Sequence, residues 1–196
     1  MENKNWILTS SITGCLSLVS YTVALIIDLD GFIWHLNSFS IGVLLGIALY
    51  SLSKSLPKTV LSDVGGILSL TGGIFMSYML MLQHGMVAMN MDYEIGENMQ
   101  IYNYIQLSTD IAFDFFIGIG LILLCIQMIK MKGMIMWLGI IGLITQVLQI
   151  FFNLSTFPIN PGLKGYFDVG PLAAVWLLIL FVGLPFFIKR LNADQA

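Results

Sequence analysis

Six runs of apolar residues, each about as long as a membrane-spanning helix, restrict the fold of this 196-residue chain more than any other feature. A helix needs roughly 20 predominantly apolar residues to cross the hydrocarbon of a bilayer. The runs cover residues 6–27, 36–53, 64–89, 107–129, 134–152 and 169–188. They are apolar on every face, whereas a transmembrane β-barrel needs alternating apolar and polar residues. We therefore predict an all-α, polytopic membrane protein, with residues 1–196 forming one domain of six transmembrane helices.

The composition agrees with residence in a membrane. Hydrophobic residues make up 58% of the chain and charged residues only 10%, whereas soluble domains are about one quarter charged. We expect the lipid bilayer of the cell (plasma) membrane to be the main partner. The net charge of −3 and the lack of a basic domain give no basis for nucleic acid binding.

The basic residues predict the orientation, because lysine and arginine favour the cytoplasmic side of short loops. With six spans, seven of the eight basic residues fall on one side and only Lys164 falls on the other. The seven are Lys4, Lys54, Lys58, Lys130, Lys132, Lys189 and Arg190. Both termini are therefore predicted to be cytoplasmic.

Two aspartates begin the fourth span, in the stretch STDIAFDFFIGIG of residues 108–120. Asp110 and Asp114 are four residues apart and share one face of a helix. If the helix begins at Ser108, Asp110 lies in its first turn, where the helix dipole favours a carboxylate. Asp114 lies deeper, without a basic residue in the outer half of any span, so it is a functional candidate. The alternative is that the helix begins later and Asp114 is its cap.

Other polar side chains are predicted at the depth of Asp114. They are Gln146, Gln149 and Asn153, spaced i, i+3, i+7 on the fifth span, His84 on the third span and Tyr21 on the first. They could line one outward-facing cavity, or they could hydrogen-bond one another and hold the helices together. We favour the cavity, because helix packing alone does not require an aspartate.

Small residues predict where helices approach each other closely. Gly42 and Gly46 form a GxxxG step in the second span, and the third span is rich in glycine. Such faces allow close helix contacts in lipid. We expect packing within the chain, and contacts with a second copy or a partner subunit through these faces are a further expectation.

Three functional hypotheses remain open. The first is binding or transport of a small solute, a cation or a proton in the cavity, with Asp114 at its centre. The second is an intramembrane hydrolase or isomerase that acts on a lipid-like substrate with Asp110, Asp114 and His84 as acid/base groups. The third is an accessory subunit without activity of its own. Because motifs for NTP hydrolysis, serine acyl transfer, thiol redox chemistry and zinc catalysis are absent from the sequence, we expect no cofactor and no metal, and we favour a protein that is not an enzyme.

Overall fold

The computed structural model describes residues 2–27, 31–93, 99–158 and 161–193. The helices are α1 (Glu2–Ile26), α2 (Gly31–Ser55), α3 (Val60–Tyr93), α4 (Met99–Ile129), α5 (Met134–Thr156) and α6 (Gly170–Ala193), and a 3-10 turn at Pro161–Lys164 precedes α6. Each helix contains a segment long and apolar enough to cross a membrane. The described residues contain no β-strand. The prediction of an all-α bundle with six transmembrane helices is therefore confirmed, and the chain is an integral membrane protein.

The fourth helix begins earlier than the sequence predicts. It starts at Met99, whereas the apolar run starts at residue 107. Ile101, Tyr104 and Ile105 are spaced i, i+3, i+4, which is a helical pattern, and the segment of α4 that is apolar enough to cross a membrane already begins at Tyr104. The helix therefore does not begin at Ser108, the start on which the first-turn position of Asp110 depended. The hydroxyl of Ser108 donates a hydrogen bond to the carbonyl oxygen of Tyr104, at 2.7 Å, within the helix rather than at its end.

Consecutive helices are antiparallel neighbours, and α6 closes the ring by packing against both α1 and α5. The last residues of α1, α3 and α5 and the first residues of α2, α4 and α6 lie at one end of the bundle, which we call the cavity end. The connections α2–α3 and α4–α5 lie at the other end, the lysine end, which carries Lys54, Lys58, Lys130 and Lys132. An ion pair of 2.7 Å between Lys54 and Asp63 joins α2 to α3 there. That the lysine end faces the cytoplasm stays a prediction.

Glycines bring α2, α3 and α4 into close contact. A Cβ atom on Gly73 would lie 2.7 Å from the Cα of Gly46, and one on Gly65 would lie 3.0 Å from the carbonyl oxygen of Gly120. Backbones therefore approach each other directly at these positions, as the sequence predicts. Contacts with a second copy or a partner subunit through glycine faces stay a prediction.

The half of the bundle nearer the lysine end is a largely apolar core, which we call the solid core and which also buries Ser51 and Gln127. Leu49, Leu52, Leu124, Met128 and Leu180 have no exposed surface. Protein interiors of this kind are close-packed. The polar residues of the predicted site lie in the other half.

Candidate functional site

A cavity of about 830 Å³ occupies the half of the bundle nearer the cavity end. We call it the bundle cavity, and all six helices contribute side chains to its wall. Every residue of the predicted site lines it: Tyr21, His84, Asp110, Asp114, Gln146, Gln149 and Asn153. Asp114 was identified as a candidate from the sequence of α4 alone. In the structure, residues of the other five helices line the same cavity.

Asp114 is held by two amide side chains of α5. Gln149 Nε2 donates a hydrogen bond of 2.6 Å to Asp114 Oδ1, and Asn153 Nδ2 donates a short hydrogen bond to Oδ2. The two amides are four residues apart on α5, which places them on one face of the helix. Asp114 is only 8% exposed. The carboxylate is therefore buried, oriented and paired on both oxygens.

Neither aspartate of α4 is at a helix end. Asp114 lies about four turns beyond Met99, and Asp110 about three turns, at 3.6 residues per turn. Dipole and capping effects act within the first turn. The interpretation of Asp110 as a first-turn carboxylate and the alternative of Asp114 as a cap are therefore both wrong, because the helix begins much earlier. A local structural role at a helix end explains neither carboxylate.

Asp168 adds a third carboxylate to the wall of the bundle cavity. It precedes α6, and its Oδ1 accepts a hydrogen bond of 2.9 Å from the backbone N–H of Gly170, the first residue of that helix. Asp168 therefore caps α6 at the edge of the cavity. Sequence analysis did not place it in the site, because its position before a predicted helix already accounted for it.

Three buried polar atoms on lining residues have no hydrogen-bond partner within the described chain: Gln146 Oε1, Gln149 Oε1 and His84 Nδ1. Most buried polar atoms in proteins are hydrogen-bonded to protein or to water. Gln146 is only 1% exposed, so bulk solvent does not reach it at the bundle surface. Each of these atoms therefore lacks a partner on a residue of the cavity wall.

Aromatic rings form the wall near the cavity end. The ring centroid of His84 lies 3.9 Å from that of Trp34 and 4.4 Å from that of His35. Trp34 lines the cavity, but it precedes the predicted second span, which starts at residue 36. A tryptophan beside an apolar run is typical of the membrane interface, and that was the only available signal for it.

The ligand types for a metal do not come together in the part of the chain that the structure describes. No group of three or more His, Cys, Asp or Glu side chains there has the arrangement of a metal site. Cys15 and Cys125 are free thiols on different helices. The polar groups of the described cavity wall include carboxylates, amides, the imidazole of His84 and the hydroxyl of Tyr21.

Fold and site together define an integral membrane protein with a cavity in one half of a six-helix bundle, whose mostly apolar wall carries carboxylates and amides. Comparisons with models of protein families, with curated proteins and with solved structures find no match.

Proposed function

We propose that this protein binds or transports a small solute or a cation in the bundle cavity, with Asp114 as the central binding group. The observation that carries the proposal is the position of Asp114, a buried carboxylate deep in a transmembrane helix, on the wall of a cavity of about 830 Å³. Ionisable residues in such positions commonly mark substrate or ion pathways. The unpartnered oxygens of Gln146 and Gln149 beside it support the same role.

The shape of the bundle supports access from one side. Leu45, Leu121 and Leu177 line the deep part of the cavity, and the solid core follows towards the lysine end. Binding sites of many transporters lie near the middle of the membrane, and access alternates between the two sides. Transport would therefore require the core to separate, whereas binding alone would not.

The geometry favours binding over acid/base catalysis. A catalytic base has to lie within hydrogen-bond reach of the proton that it moves. Asp114 bonds to two amides rather than to a histidine, and His84 packs its ring against Trp34 and His35. Asp114 and His84 therefore do not form a hydrogen-bonded acid/base pair with each other.

The alternative is that the polar residues only pack the helices together, as in an accessory subunit. A binding cavity should contain water that reaches residue 149, whereas a packing contact should not. Gln149→Cys and Leu148→Cys are matched variants in a background with Cys15→Ala and Cys125→Ala. Gln149 lines the cavity, and the next residue, Leu148, is 40% exposed on the bundle surface, where lipid is expected. Thiol reagents attack the thiolate, which forms in water.

The test is labelling with a membrane-impermeant maleimide, on intact cells and on inside-out vesicles. We expect Gln149→Cys to be labelled from one side and Leu148→Cys from neither. Labelling of neither variant in folded protein would contradict the proposal and favour the packing role. The side from which label enters would also test the prediction that the cavity faces outward.

A further inference from the structure

We propose, on the basis of the proposed function, that the ligand of the bundle cavity is a protonated amine with an apolar body. Asp114 would bind its charge, and the amide oxygens of Gln146 and Gln149 would accept its N–H groups. The inference combines three properties of the cavity wall: its charge, its unpartnered acceptors and its apolar surface.

The charge of the wall favours a cation. Asp110, Asp114 and Asp168 all line the cavity, and none of the described lining residues is a lysine or an arginine. A buried carboxylate is costly unless a positive charge or enough hydrogen bonds accompany it. A cationic ligand would supply a charge that the described wall does not contain.

The unpartnered atoms favour a cation that carries N–H groups. Gln149 donates its amide nitrogen to Asp114, which leaves its Oε1 as an acceptor without a partner, and Gln146 Oε1 has none either. A primary ammonium group has three donors and no acceptor. It would therefore satisfy the carboxylate and both amide oxygens, whereas a quaternary ammonium would satisfy only the charge.

The remaining surface favours an organic molecule over an inorganic ion. Leu121 and Leu177 line the cavity at depth, and the rings of Trp34, Phe113 and Phe152 line it elsewhere. Pockets for drug-sized ligands measure about 300–1,000 Å³ and are mostly apolar with a few polar groups. Aromatic rings also attract organic cations through their faces. A cavity of about 830 Å³ is far larger than a proton or a metal ion requires.

Four probes with the same naphthalene body separate these properties. They are naphthylmethylamine, naphthylmethyl-trimethylammonium, naphthylmethanol and naphthoate, which differ in charge and in N–H groups. Their binding to the purified full-length protein is measured by titration calorimetry in one detergent. The variants are Asp114→Asn, Gln146→Leu and, as a control at the lysine end, Asp63→Asn.

We expect naphthylmethylamine to bind the wild type and the Asp63→Asn control equally, and to bind Asp114→Asn at least about tenfold more weakly, because a buried charge pair loses one partner. Gln146→Leu should weaken the amine but leave the trimethylammonium probe unchanged, because only the amine donates to Gln146. Naphthoate should not bind.

The inference would be overturned if naphthoate or naphthylmethanol bound as tightly as the amine, or if Asp114→Asn bound the amine unchanged. Failure of all four probes with the wild type would also overturn it. If all four probes failed but Gln149→Cys were labelled, the proposal of an amine ligand would be wrong, whereas the proposed binding function of the cavity would stand. If labelling failed as well, both proposals would be wrong.

Discussion

Gln149 and Asn153, one turn apart on α5, donate hydrogen bonds to the two carboxylate oxygens of Asp114 on α4. This pairing ties two transmembrane helices together and fixes the direction of the carboxylate. The same three residues line the bundle cavity. The proposed binding role and the helix packing therefore involve the same set of side chains, and variants can separate them.

The first prediction concerns stability at Asp114. Asp114→Ala removes the acceptor of both amides, and leaving a buried polar group unpaired costs about 1–3 kcal/mol. We expect the free energy of unfolding, measured by SDS titration in mixed micelles, to fall by about that amount. Asp114→Asn should lose less, because its amide keeps an oxygen that accepts a hydrogen bond. Wild-type stability of Asp114→Ala would show that the pairing does not hold α4 to α5.

The second prediction concerns the glycine contact between α2 and α3. Gly73→Ala should lower stability by about 1–3 kcal/mol, the usual cost of overpacking a tight contact, because its Cβ would meet the backbones of Gly42 and Gly46. Gly85→Ala, on the same helix, is the control, since a Cβ there meets nothing within 4 Å. Thermal unfolding of both variants in the same detergent measures the difference. Equal melting temperatures would contradict the close approach of α2 and α3.

The third prediction concerns the contact between α5 and α6. Trp176 is 3% exposed, and its Nε1–H donates a hydrogen bond of 2.9 Å to the carbonyl oxygen of Leu138. Trp176→Phe should lose about 0.5–1.5 kcal/mol from this bond and a further amount from the smaller ring. Trp137→Phe is the control, because Trp137 is 57% exposed on the surface of the bundle. A larger loss from the control in SDS titrations would be inconsistent with the described packing.

The fourth prediction concerns orientation. Because basic residues favour cytoplasmic loops, we expect a green fluorescent protein fused at the C-terminus to fluoresce in cells and alkaline phosphatase at the same point to be inactive. A phosphatase fusion after Lys164, at the cavity end, should be active. The reverse pattern would place the cavity end in the cytoplasm and overturn the predicted topology.

Much of the fold follows from the sequence, because six spans are set by the thickness of the bilayer and by the absence of charge. The i, i+3, i+7 stripe of Gln146, Gln149 and Asn153 also follows from helical geometry. Its partner does not: which face of α4 meets α5 depends on how the helices rotate in the bundle, and hydropathy does not determine that. The contact between Asp114 and this stripe therefore required the structure.

The start of α4 shows a different difficulty. Hydropathy measures solubility in lipid, whereas a helix continues wherever backbone hydrogen bonds and side-chain spacing allow it. Residues 99–103 precede the apolar segment, which begins at Tyr104, yet they belong to α4. Because α4 begins at Met99, Asp110 and Asp114 lie in the interior of the helix and not at its end. Trp34 was not predicted to line the cavity, because the second apolar run starts at residue 36, whereas α2 begins at Gly31.

The central claim is that the surroundings of Asp114 are an accessible cavity, and modification of residue 114 itself tests it most directly. Asp114→Cys and the control Leu124→Cys, further along α4 in the solid core, are made without the native cysteines. Each is treated with a membrane-impermeant thiol reagent. We predict rapid labelling of Asp114→Cys and none of Leu124→Cys. Absence of labelling at residue 114 in folded protein, from either side of the membrane, would contradict the account.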